Sequence, residues 1–134
     1  MIHIKIIVHG EPDTSPFTRI FDYPKIDEEI FNNSVILIKE KLKKNLKINI
    51  NEVLVFYSEF IVSELRDGKS VEQIQNNMSS LLDANDVMIG IPETLREIFF
   101  EINLDNSMNS VILHTPIQIL NYVLNSEIKG QKHD

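Results

Sequence analysis

The sequence predicts an α+β protein: a small bundle of about four helices, then a C-terminal β-hairpin, with an extra N-terminal strand and a C-terminal helix. Apolar residues recur at helical spacing from residue 26 to about residue 88. Strand-type residues dominate Ile98–Leu104 and Val111–His114. Apolar residues alternate along Ile2–Val8, which predicts a half-buried strand. At 134 residues the chain has room for one moderate core.

The N-terminal region predicts a strand followed by a linker. Gly10–Phe17 contains two prolines and a glycine, which is typical of a loop. We therefore treat residues 1–18 as an extension, with the strand as an arm apart from the main body at residues 19–117. Such a strand can add to an open hairpin edge in the same chain or in a neighbouring one.

Two long helices follow. The first is expected at about residues 26–44, with acidic residues near its start and lysines near its end, as the helix dipole favours. Asn49 or Asn51 can cap the second. Its broad apolar surface predicts a central helix, and consists of Val53, Leu54, Phe56, Tyr57, Phe60, Ile61 and Leu65.

Short helices are expected next. Gly68 ends the second helix in a left-handed conformation, and Ser70 with Gln73 forms the capping box of a third. Asp83 can cap a fourth helix containing Val87 and Met88. We expect Gly90 and Pro92 to end it, because both residues interrupt helices.

The C-terminal part predicts a hairpin with a turn at Asp105–Ser107. Thr115 then resembles an N-cap, with Pro116 at the first helical position. Residues 118–134 are expected to form a helical extension and a polar tail.

Composition excludes several classes of function. A formal net charge of −7 disfavours general binding to nucleic acid, because the surface repels phosphates. The absence of cysteine excludes disulfides, thiolate nucleophiles and cysteine-based zinc sites. Met1–Val8 is too short to span a bilayer and lacks a signal-peptide cleavage site. We expect a cytoplasmic protein without membrane contact.

No catalytic or metal-binding constellation emerges from the residues. His3 and His9 share a strand face but lie roughly 20 Å apart at the rise of a strand, so they cannot bind one metal ion together. We interpret both as solvent-facing strand residues. The helix pair around Arg66–Lys69 is compatible with a helix-turn-helix. Its second helix, at Ser70–Leu82, lacks basic residues, which disfavours DNA binding.

Four blocks occur in order along the chain. They read LKIN at residues 46–49, RDGKSV at residues 66–71, VMIGIPE at residues 87–93 and HTPI at residues 114–117. These blocks resemble the gamma subunit of urease, and their separations fit that family's pattern without insertion or deletion. The motif residues are Arg66, Asp67, Gly68, Lys69, Ser70, Val87, Met88, Gly90, Pro92, His114 and Pro116.

The resemblance implies a non-catalytic gamma-type subunit of urease, an enzyme that hydrolyses urea. It implies no cofactor in this chain, because the nickel centre belongs to the large subunit. The implied partners are the urease beta and large subunits, which the gamma subunit helps to assemble into a trimer of heterotrimers.

The chain also departs from the family pattern. It lacks the usual threonine–proline–arginine–glutamate opening, Asn51 replaces a proline, and Glu64–Leu65 replaces a small glycine–alanine pair. The alternative hypothesis is a free-standing interaction module without urease activity, whose extensions cover surfaces once buried by other subunits or mediate self-association as a homo-oligomer.

Overall fold

Four strands and four α-helices make up residues 1–13 and 16–118, which the computed structural model describes. The strands are β1 (Ile2–His9), β2 (Thr18–Ile26), β3 (Glu97–Leu104) and β4 (Ser107–His114). The helices are α1 (Glu28–Lys43), α2 (Ile50–Arg66), α3 (Val71–Met78) and α4 (Ile91–Thr94). The predicted α+β class, with its helices, hairpin and N-terminal strand, is confirmed.

Side-chain caps define the starts of the first three helices. Asp27 accepts hydrogen bonds from the amides of Glu29 and Ile30 at the start of α1. Asn49, one of the two predicted candidates, caps α2. Ser70 caps α3 through the predicted box with Gln73. These three helix starts follow from local sequence because each cap satisfies amides that the helix leaves unpaired.

Strand β1 lies inside the sheet, not apart from it. The strand order is β2-β1-β3-β4, and all three pairings are antiparallel. Strand β1 pairs with β3 over eight residue pairs, from Ile2 opposite Leu104 to His9 opposite Glu97. The expectation of a separate arm is therefore wrong. The expectation that β1 adds to the edge of the hairpin is correct, and the addition occurs within this chain.

Strand β2 is an element that the sequence pattern did not predict. Only Phe21 is buried on it, and Tyr23 and Ile26 are partly buried. Charged residues and Pro24 obscure its alternation. Since β2 is an edge strand, a proline and charged residues are tolerated there and discourage pairing with another chain.

The β3–β4 turn consists of two residues in left-handed conformation. Asp105 has a φ of 51° and Asn106 a φ of 69°. Two such residues form the type I′ turn that suits a two-residue hairpin, and asparagine and aspartate tolerate it better than most residues. The predicted hairpin is confirmed, with β4 beginning at Ser107.

The predicted fourth helix is misplaced. Asp83 caps only a 3₁₀ turn at Ala84–Asp86, and Val87 and Met88 lie outside any helix. Helix α4 begins after Gly90 and contains Pro92 near its start. Proline is well suited to a first turn, where its missing amide costs no hydrogen bond. Gly90 and Pro92 therefore lie at the start of a helix and not at the end of one.

The end of β4 also differs from expectation. Thr115 has a φ of 49°, whereas an N-cap residue has an extended backbone. Residues 116–118, where the predicted C-terminal helix begins, are not helical, and its remainder at residues 119–134 lies outside the described residues.

One apolar core lies between the helices and one face of the sheet. It combines Ile2, Ile4, Ile6 and Val8 of β1 with the buried side of α2, including Leu54, Tyr57 and Ile61. Each of these side chains is at most 1% exposed. Helix α1 packs on α2, and α3 packs on β4. The N-terminal hairpin and the helices therefore share a single core.

Candidate interaction surface at the sequence motifs

The RDGKS block forms the corner between α2 and α3. Arg66 is the last residue of α2, Asp67 follows as its C-cap, and Ser70 caps α3. Gly68 has a φ of 80°, and a Cβ built on it would have no atom within 4 Å. Glycine is therefore favoured by backbone conformation and not by lack of space.

Arg66 links three parts of the chain. Its guanidinium forms an ion pair with Glu28 at the start of α1, and its Nη1 lies 3.6 Å from Asp105 Oδ2 in the hairpin turn. The N-terminal ammonium of Met1 lies 2.9 Å from Asp105 Oδ1. The hydrogen bond and charge of that ammonium lower the pKa of Asp105. This exposed network joins the chain start, α1, α2 and the hairpin turn.

Lys69 is also paired within the chain. Its Nζ lies 2.9 Å from Glu64 Oε2 on α2. This hydrogen bond and the Glu64 charge raise the pKa of Lys69. Every residue of this corner is exposed, and its two cations have intramolecular partners.

The VMIGIP block places an apolar residue almost entirely in solvent. Val87 is buried and bridges to Ile48, with the Met88 amide donating to the Ile48 carbonyl at 3.0 Å. Met88 is 46% exposed and Ile89 is 98% exposed. Gly90, with a φ of 92°, then reverses the chain. The buried bridge holds the turn in place, and the turn projects Ile89 outward.

The HTPI block lies at the end of β4. His114 is exposed, and its Nδ1 lies 3.0 Å from Glu97 Oε2 on β3. Pro116 and Ile117 are buried. The Thr115 amide donates to the Arg96 carbonyl at 2.6 Å. The block therefore fastens the end of β4 to the start of β3 and inserts Ile117 into the core.

His3 and His9 contact residues of the unpredicted strand β2. His3 Nε2 lies 2.6 Å from Asp22 Oδ1, and His9 Nδ1 lies 3.1 Å from Thr18 Oγ1. Both are partly exposed strand residues, as predicted. Across residues 1–13 and 16–118, no three His, Asp or Glu side chains converge as a metal site would require.

The motif residues therefore do not converge on one site. They form three separate corners, whose buried members hold the fold and whose exposed members are available for contact. The sequence singled out Met88, but nothing in it indicated that Ile89 would be the most exposed apolar residue of its turn. Among the described helices, none is both long and apolar enough to cross a membrane.

Comparisons with known proteins agree on one family. The family described as "Urease, gamma subunit" matches residues 26–117. A urease subunit gamma of Halalkalibacterium halodurans is 34% identical over 82 residues, 61% of this chain and 82% of that protein. A urease subunit gamma of Prochlorococcus marinus is 32% identical over 91 residues, 68% of this chain and 91% of that protein. A urease subunit gamma of a Synechococcus species is 32% identical over 92 residues, which are 69% of this chain and 92% of that protein. The chain belongs to the urease gamma-subunit family.

Proposed function

We propose that this chain is a non-catalytic structural subunit of a cytoplasmic urease. In this role it contributes surface to a complex with the beta and large subunits. The nickel centre and the hydrolysis of urea are assigned to the large subunit, and this chain supplies no cofactor ligand.

The observation that supports this proposal most directly is the turn at Met88–Gly90. The turn belongs to a family motif, is held by the buried Ile48–Val87 bridge, and presents Ile89 at 98% exposure. A large apolar side chain at the tip of an ordered turn gains stability when a partner removes it from water. Leu46, on the other side of the bridge, is 52% exposed and adds to the apolar character of this region.

Co-expression with the urease beta and large subunits of the same organism tests the proposal. We expect the three chains to co-purify, to elute as one assembly on size exclusion, and to hydrolyse urea after nickel loading. Failure of the wild-type chain to co-purify would overturn the subunit assignment.

An exposed-residue variant locates the contact. Ile89→Asp places a charge at the tip of the turn and is expected to weaken co-purification at least tenfold, because a buried unpaired charge is costly. Ile20→Asp is the matched control, since Ile20 is also exposed but lies on β2, before the family match begins. Equal retention of both variants in the complex would exclude the turn as a contact.

The N-terminal hairpin supports the alternative of a free-standing module. Strand β1 occupies the edge of β3 within the chain, and almost all of the β1–β2 hairpin precedes the family match at residue 26. Since 82 aligned residues are 82% of one relative and 91 are 91% of another, each is about 100 residues long. The residues outside those alignments are too few to form a hairpin of 25 residues.

The two functions give different results in the same experiment. A subunit enters the urease complex with its N-terminal hairpin in place. A free-standing module stays alone as a stable monomer when the other subunits are co-expressed. Adjacent genes for the beta, large and accessory proteins favour the first function.

A further inference from the structure

A groove with a volume of about 450 Å³ lies between the N-terminal hairpin and the helix pair α1–α2. Ile4 and Ile6 of β1 and Tyr23 of β2 line one side, and Phe31, Leu54 and Val55 line the other. The groove exists because α1 packs on α2, and β2 extends the sheet beyond that pair. Since nearly all of β1–β2 precedes the family match, one wall lies outside the matched region.

The walls are mainly apolar but contain a few placed polar groups. The Ser34 hydroxyl donates to the Ile30 carbonyl at 2.9 Å, and the buried Ser58 hydroxyl donates to the Leu54 carbonyl at 2.7 Å. Each serine oxygen keeps acceptor capacity. Burial raises the pKa of the partly buried Tyr23 phenol, against the opposing charge of Arg19.

One ammonium and one carboxylate line the groove. Lys25 lines it, and within residues 1–13 and 16–118 its ammonium has no ion pair or hydrogen bond. The Asp27 carboxylate also lines the groove but accepts the amides of Glu29 and Ile30 as the cap of α1. An anionic group beside Lys25 therefore gains a charge-assisted contact.

We propose that this groove binds a small amphipathic carboxylate, with its hydrocarbon chain against Ile4, Ile6 and Val55 and its carboxylate beside Lys25. The volume is within the range of about 300–1,000 Å³ that is usual for small-molecule sites, and a mainly apolar lining with few polar groups is typical of them. This activity goes beyond subunit assembly and does not depend on it.

Calorimetric titration of the full chain with dodecanoate, below its micelle concentration, tests the proposal. We expect saturable binding of one dodecanoate per chain. Dodecan-1-ol is expected to bind about tenfold more weakly, which corresponds to about 1.4 kcal/mol. Absence of saturable binding at millimolar dodecanoate would overturn the proposal, and equal binding of the alcohol would overturn the carboxylate assignment.

Two variants locate the site. Val55→Trp fills the groove and is expected to weaken binding of both probes at least tenfold. Lys25→Gln is a surface change, and is expected to weaken dodecanoate about three- to tenfold while leaving dodecan-1-ol unchanged. Ile20→Thr, on an exposed part of β2 that does not line the groove, is the control and should bind as wild type. If Ile20→Thr weakens binding as much as Lys25→Gln does, the probe binds elsewhere and the proposal is wrong.

Discussion

Glu52 stabilises two helices at once. Its Oε1 accepts the Asn49 amide at 3.0 Å, which completes the capping box of α2. Its Oε2 lies 2.6 Å from Lys41 Nζ near the end of α1. Burial raises the pKa of Glu52, but the Asn49 amide and the Lys41 ammonium together lower it more. One carboxylate thus couples the end of α1 to the beginning of α2.

The Glu52→Gln variant removes the charge of this residue and keeps its role in the capping box of α2. Glutamine can still accept the Asn49 amide, but it loses the pair with Lys41. Since the folded pKa of Glu52 is lowered, its contribution is present above its ordinary pKa of 4.5 and disappears as the pH falls through the folded value. We expect the variant to be less stable by about 0.5–1 kcal/mol at pH 7, and this difference to shrink as the pH falls towards 3. Guanidinium unfolding at both values measures this, and an equal loss at pH 3 would contradict the charge-based explanation.

Tyr57 has a buried hydroxyl without a hydrogen-bond partner among the described residues. Burial, and then the charge of Asp86, raise its pKa. We expect Tyr57→Phe to leave the free energy of unfolding unchanged or to increase it by up to about 1 kcal/mol, because an unpaired buried hydroxyl is costly. Tyr23→Phe, at a partly exposed phenol, is the control. A loss of more than about 1 kcal/mol in Tyr57→Phe would mean that this hydroxyl has a partner in the folded protein.

At the scale of elements, β1 is a central strand and β2 an edge strand. Ile4 on β1 is 1% exposed, whereas Ile20 on β2 is 58% exposed. Ile4→Ala is therefore expected to lower the free energy of unfolding by about 2–5 kcal/mol through the cavity it leaves. Ile20→Ala should change it by less than about 0.5 kcal/mol. Denaturant unfolding of both variants measures the difference, and similar effects would show that β1 does not belong to the core.

The elements that sequence predicted are those whose signals are local. The caps at Asn49 and Ser70 and the alternation along Ile2–Val8 each lie within a few residues. Strand β2 gave no such signal, because only Phe21 on it is buried and Pro24 interrupts the pattern. The pairing of β1 with β2 was not predicted either, because β2 itself gave no signal, whereas the addition of β1 to the hairpin edge was among the expected arrangements.

The turn at Met88–Gly90, the candidate contact surface, could also be predicted only in part from the sequence. Motif resemblance identified the turn around Gly90, and its backbone reversal follows from glycine's tolerance of positive φ. The exposure of Ile89 depends on how the Ile48–Val87 bridge places that turn against the rest of the fold. The groove between the N-terminal hairpin and α1–α2 was not predicted, since β2 contributes part of its lining.

The whole molecule has one core, to which the N-terminal hairpin and the family helices both contribute. We therefore expect a single cooperative unfolding transition in guanidinium. Far-UV circular dichroism and methyl NMR signals of β1 should report the same midpoint. An earlier midpoint for β1 would show that the hairpin is a separate unit.

The location of β1 also has a consequence for the timing of folding. Ile2 pairs with Leu104, 102 residues later in the chain. A ribosome adds about 5–20 residues per second, so β1 waits on the order of 5–20 s for its partner β3. During that time its isoleucines are available to other apolar surfaces, including chaperones. Strand β1 is thus synthesised well before β3, the partner on which its place in the sheet depends.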